Sequence, residues 1–219
     1  MKKRTYSSLV SMLLAMIILA GCSGTSPAEN IYNTLEKVVS LEDTFKEQQE
    51  PLYELERQEN ELYNQIISLG MKEYDEIVSL SQEAAGLVEE REERITQENE
   101  SIQEGRQEFE KINDEIEKME DGDAKNKAIE LRDVMTERYQ SYDQLHQNYT
   151  QAISQDKQLY TLLQNEDLKL DELEGQISQI NESYEKVIEE NKRFNEFTDQ
   201  YNQTKKEFYE AAGLEVNEA

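Results

Sequence analysis

The sequence predicts an all-α chain: an elongated antiparallel bundle of about four long helices with coiled-coil-like heptad seams. Three observations carry that prediction. Apolar residues recur in alternating steps of three and four from Val38 to Phe208. A third of the residues are charged, Trp is absent and Pro occurs only at positions 27 and 51, a composition of long helices with little core per residue. Polar Gly-, Asp- and Asn-bearing stretches interrupt the pattern at similar intervals. Disorder is the competing reading of such polarity, and it does not hold a heptad phase over this distance.

Residues 1–21 precede the pattern and have the form of a lipoprotein signal peptide. Lys2, Lys3 and Arg4 make a cationic start, and Leu9 to Ala20 is an apolar run. That run is about a dozen residues, too short for hydrocarbon that needs roughly 20 helical residues. Leu19-Ala20-Gly21-Cys22 matches the lipobox, in which Cys22 takes a diacylglyceryl thioether and becomes the new N-terminus. Cys22 is the one cysteine of the chain, so no disulfide framework exists, and lipidation caps an otherwise reactive thiol. A lipid with two or more chains anchors stably where a single chain does not. The expected location is the extracytoplasmic face of the cell membrane.

Residues 22–29, Cys22 and the polar stretch after it, read as a flexible tether. The bundle domain is expected over 30–212, with a polar tail at 213–219. Its first seam runs Val38, Leu41, Phe45, Gln48, Leu52, Leu55, Glu59, Leu62, Ile66 and Leu69, ending at Gly70. Pro51 falls inside it, as a kink or as the first residue of a new helix. The second seam runs from Tyr74 to Met119 and stops at Glu120-Asp121-Gly122-Asp123, which carries turn chemistry.

The third seam starts at Ala124, and its register continues to Phe208. Unbroken, that stretch would be close to 90 residues, roughly 130 Å long, in a three-helix hairpin or an extended coiled-coil dimer. Gln164-Asn165-Glu166-Asp167 offers a break, because Asn and Asp cap helices and acids favour first turns. Breaking there yields four legs of about 40–50 residues, an up-down-up-down bundle roughly 60–70 Å long.

Polar residues interrupt the seams at Arg91, Glu98, Arg138, Asp156, Asn191 and Lys205. Folding the second and third legs about Gly122 sets residues whose numbers sum to about 243 opposite each other. Arg91 then comes within reach of Asp156, and Arg138 faces Gly105, where a missing side chain leaves room for its stem. Register-setting polar layers are the plain reading of such positions, and a buried polar site is the functional one.

No catalytic constellation is legible, so no enzyme is expected. His146 is the one histidine, half exposed beside the seam, without a Cys or second His for a metal. Asp121-Gly122-Asp123 lacks the later ligands of a calcium loop. No metal and no cofactor are therefore expected. Of the twelve tyrosines, Tyr142, Tyr149, Tyr184 and Tyr201 lie on the seam as core. Tyr32, Tyr53, Tyr63 and Tyr209 lie off it, are expected to be exposed, and are the candidates for ring-on-sugar contact. After removal of residues 1–21 the chain has 20 basic residues against 49 acidic ones, a net charge of −29. Such a polyanion repels nucleic acid and anionic headgroups.

Pro51-Leu52-Tyr53-Glu54-Leu55-Glu56, Leu62-Tyr63-Asn64-Gln65-Ile66-Ile67-Ser68-Leu69-Gly70 and Leu159-Tyr160-Thr161-Leu162-Leu163-Gln164-Asn165-Glu166-Asp167-Leu168 carry a likeness. With the lipobox and the Glu/Gln-rich helical body, the chain resembles the YkyA-like family of Gram-positive lipoproteins, described as cell-wall-binding. The likeness covers nearly the whole mature chain. It implies a noncatalytic, membrane-anchored envelope lipoprotein whose partner is peptidoglycan or a wall polymer. The alternative is a helical scaffold or modulator that binds another membrane or secreted protein. A body at −29 is repelled by anionic teichoic acids unless cations bridge, although screening within about 8 Å softens this.

Overall fold

The computed structural model describes residues 25–69 and 73–214. The signal segment, the lipobox Leu19-Ala20-Gly21, Cys22, Gly70 and residues 215–219 lie outside the described residues. Among the described residues six α-helices make four legs: α1 Pro27–Leu41 with α2 Asp43–Ser68, α3 Tyr74–Phe109 with α4 Ile112–Lys118, α5 Asp123–Leu163, and α6 Leu170–Ala211. The break expected at 164–167 is present, and the legs alternate in direction.

α1 starts at Pro27, so the last three residues assigned to the tether are helical. Ser26 forms a capping box with Glu29: the Ser26 hydroxyl accepts from the Glu29 N–H, and the Glu29 carboxylate accepts from the Ser26 N–H. Pro51 does not open a helix. It lies inside α2, and the interruption of the first leg falls at Glu42 instead.

The cause of that interruption is a side chain inserted into the backbone ladder. In a continuous helix the Phe45 N–H would donate to the Leu41 carbonyl. Here Phe45 donates to the Ser101 hydroxyl at 3.2 Å, and Ser101 donates to the Leu41 carbonyl at 2.7 Å. Ser101 thus carries the hydrogen bond across the gap between α1 and α2. Glu42, at the break, turns inward, and Gly105 receives it: a Cβ there would lie 3.0 Å from Glu42 Cγ. The space at Gly105 therefore serves Glu42 rather than the stem of Arg138. The Glu42 carboxylate then pairs with both Nη atoms of Arg138, at 3.0 and 2.8 Å.

Ile31, Leu35, Ile102, Ile112, Leu131 and Met135 are fully buried and pack the tether end of the core. α2 packs on α3, α3 on α5, and α5 on α6. Along the fourth side α2 and α6 make little direct contact and leave a groove floored by α3 and α5. That opening accounts for Leu170, a seam residue that is 70% exposed at the start of α6. Among the described residues no helix is long and apolar enough to cross a membrane.

Candidate functional site

Helical spacing brings polar side chains from all four legs into the groove. Glu56, Glu59 and Tyr63 share one face of α2. Tyr149, Asp156 and Tyr160 share one face of α5, and Ile177, Ile180 and Tyr184 one face of α6. Arg91, from α3, stands at their centre and is 1% exposed.

Every donor direction of the Arg91 guanidinium is taken. Nη1 meets Glu59 and, at 3.1 Å, Asp156. Nη2 donates to the Tyr149 and Tyr184 hydroxyls at 3.0 and 2.7 Å, and Nε lies 3.3 Å from Tyr149. The hydroxyls pass the chain of bonds outward: Tyr184 donates to Asp156 at 2.5 Å, Tyr160 to Glu59 at 3.1 Å and Tyr149 to Glu56. The reach of Arg91 to Asp156, read from the hairpin register, is present.

Three carboxylates around one guanidinium leave an excess of negative charge. Burial pushes Glu59 up to about 7 despite the attraction of Arg91, and it raises Asp156 as well. The network is closed on itself, with no donor of Arg91 left for an anion. A pocket of about 320 Å³ lies on its groove side, edged by half-buried Tyr63.

Toward the tether end, a second recess of about 180 Å³ has a different character. Glu98, from α3, is 4% exposed and accepts from the Gln49 amide at 3.2 Å. Burial pushes its carboxyl up to about 8, so it is an uncharged O–H donor at neutral pH. The Tyr142 hydroxyl lies against this carboxyl, near enough that each shifts the other's titration, but outside the geometry of a well-formed hydrogen bond. His146 stacks on Tyr142 with ring centroids 6.2 Å apart, and burial lowers its pKa, which keeps it neutral. Asn191 and Asn195 form the α6 wall, with Phe45 and Phe194 as apolar neighbours.

Of the four candidate tyrosines, Tyr53 and Tyr63 edge this groove, and Tyr53 is 63% exposed at the rim of the Glu98 recess. Tyr32 and Tyr209 sit elsewhere, paired with each other at the tether end at 5.1 Å. The expectation that Tyr209 is exposed is wrong. α1 covers the last turns of α6, and the Tyr209 hydroxyl donates to Glu36 at 3.2 Å. The residues missed in the sequence are Glu42, Gln49, Glu56 and Asn195. Glu42 stands at the α1–α2 break and the other three where α2 and α6 part, all off the seam, and no apolar spacing marks them.

At the far end of the groove a third recess of about 480 Å³ is apolar, lined among others by Ile66, Leu163 and Leu173, with Ile67 and Leu170 exposed at its edge. Tyr74 closes one side by donating to the Gln164 carbonyl at 2.7 Å.

Comparison with known proteins places this architecture. The family YkyA, described as "Putative cell-wall binding lipoprotein", matches residues 26–211. A curated relative, the "Uncharacterized lipoprotein YkyA" of Bacillus subtilis strain 168, is 36% identical over 218 residues, covering 100% of this chain and 98% of the relative. A crystal structure of a conserved protein of unknown function from Staphylococcus aureus superposes with a TM-score of 0.58. It is 15% identical, covers 86% of this chain and 98% of its own, and shares the fold.

Proposed function

The chain belongs to the YkyA lipoprotein family, and from that premise we propose that it is a noncatalytic wall-binding lipoprotein of the Gram-positive envelope. Its lipid on Cys22 holds it at the outer face of the membrane, and the groove between α2 and α6 takes peptidoglycan or a wall polymer. The observation that carries this reading is the Glu98 recess: a hydrogen-bonding hollow with a buried carboxyl inside, rimmed by the exposed ring of Tyr53. On a body at −29, a neutral glycan meets no repulsion, whereas an anionic polymer does.

Geometry supports it further. Helix α1 begins five residues after Cys22, so the legs rise from the membrane end. The recess at Gln49 lies some 22 residues along the first leg, roughly 30 Å up. The groove continues beyond it for about the same distance. A groove so placed opens well away from the membrane surface.

Core side chains fall between Ala28 and Leu214, so a soluble body of residues 23–219 serves for testing. It is expected to pellet with purified Gram-positive sacculi, and pelleting should survive removal of teichoic acids. Replacing Tyr53 by Ala should weaken it. Pelleting that requires both magnesium and teichoic acid would shift the ligand to a cation-bridged polymer. No pelleting under any condition would contradict wall binding. The scaffold reading would then lead, supported by exposed Ile67 and Leu170 around the apolar recess at the far end.

A further inference from the structure

We propose that the recess at Tyr142 and Glu98 is a subsite for one N-acetylated sugar ring, with the acetamido group inside and the ring face on Tyr53. The source of the sugar rests on the wall-binding reading; the chemistry of the subsite has its own observations.

The first is an unfulfilled donor. Tyr142 is 1% exposed and lines the recess, and its hydroxyl, with Glu98 as its polar neighbour, closes no well-formed hydrogen bond. Buried polar groups are almost always paired, because a bare one forfeits its hydration for nothing. A ligand acceptor placed in the recess would complete it.

The second is that no formal charge stands inside the recess; the Glu56 carboxylate is at its edge. Glu98 has its burial to keep it protonated, and no guanidinium or ammonium bonds to it as Arg91 bonds to Glu59. His146 is held neutral by the same burial. The pair Tyr142 and Glu98 therefore offers O–H donors to an acceptor that is itself uncharged. A carboxylate or phosphate would face the acidic body, with Glu56 at the recess edge.

The third is the arrangement of the walls. Asn195 donates to the Asn191 side-chain oxygen at 2.7 Å, which leaves the Asn195 carbonyl oxygen free to accept. Leu52 and Phe194 supply apolar surface. One acceptor, one donor and one methyl group are what an acetamide presents, and O–H, C=O and apolar wall are what the recess presents. A plain sugar hydroxyl would answer the donors and leave the apolar wall bare. At about 180 Å³ the hollow suits one such group with part of its ring, not a longer glycan. The Tyr53 ring, 63% exposed at the rim, supplies the flat face on which a sugar ring lies.

The test uses the mature lipoprotein in a sugar-free detergent, with chitotriose, the β-1,4 trimer of N-acetylglucosamine, as probe. Saturation-transfer NMR should show the acetamido methyl as the proton group closest to protein. Cellotriose, equally uncharged but without the acetamide, should bind at least about tenfold more weakly. Tyr142→Phe deletes only the hydroxyl, so the bundle should melt no lower, while chitotriose affinity should fall about tenfold. Tyr53→Ala, at the exposed rim, should weaken binding without touching the core. Unchanged affinity in Tyr142→Phe would overturn the proposal, as would cellotriose binding as tightly as chitotriose. Sacculus binding without trimer binding would overturn the subsite and leave wall binding standing. Trimer binding without sacculus binding would do the reverse.

Discussion

Arg91→Met is expected to destabilise the bundle by about 3–5 kcal/mol, the usual result of removing one partner from a buried ion cluster. The methionine fills most of the volume, so the loss is electrostatic rather than a cavity. Glu59 and Asp156 would remain at 7% and 4% exposure with no cation, and the Tyr149 and Tyr184 hydroxyls would lose their donor. Both carboxyls already sit above their ordinary range through burial. Without Arg91 they would take up protons more readily still, so the loss should shrink toward about pH 5. Urea unfolding with an unchanged slope is the measurement. A loss below about 1 kcal/mol at neutral pH would mean that the tyrosines and packing hold this layer without the charge.

Glu98→Gln is expected to act in the opposite direction. The folded state holds the Glu98 proton up to about 8, whereas an unfolded carboxyl releases it near its model value of 4.5. A raised folded pKa gives stability that is complete below 4.5 and is lost as the pH rises toward 8. Glu59, raised to about 7, works in the same sense over a narrower window. His146, lowered by burial, works the other way below its usual 6.5. The exposed acids with lowered pKa, such as Glu54 and Glu207, are solvent-screened and add little. Glutamine keeps the shape of the protonated acid and has no proton to lose. The variant should match the parent at about pH 5 and exceed it by on the order of 2–4 kcal/mol at about pH 9. Equal stability across that range would mean that Glu98 ionises in the fold without penalty.

The seams made most of this architecture legible beforehand. A heptad phase requires helices, the turn chemistry at 120–123 and 164–167 marks two of the reversals, and the hairpin register brought Arg91 to Asp156. What stayed hidden depended on contacts between distant segments. The break at Glu42 exists because Ser101, some 60 residues away, enters the ladder at Leu41 and Phe45. Neither Ser101 nor Glu42 departs from an ordinary helical pattern. Tyr209 reads as a surface residue from its spacing, and α1 buries it. Leu170, Leu173 and Ile177 continue a seam on α6, but the seam has no full partner where α2 stands away. Gln49, Asn191 and Asn195 define the recess only because of that parting.

The most direct test of groove-mediated wall contact is photo-crosslinking in growing cells. A benzophenone side chain in place of Tyr53 keeps an aromatic ring at the recess rim, and the same group at exposed Glu93 of α3 serves as the control. Crosslinked lipoprotein released by muramidase should carry glycan fragments from the Tyr53 position and not from Glu93. Equal glycan capture at both positions, or capture of protein alone at Tyr53, would contradict it.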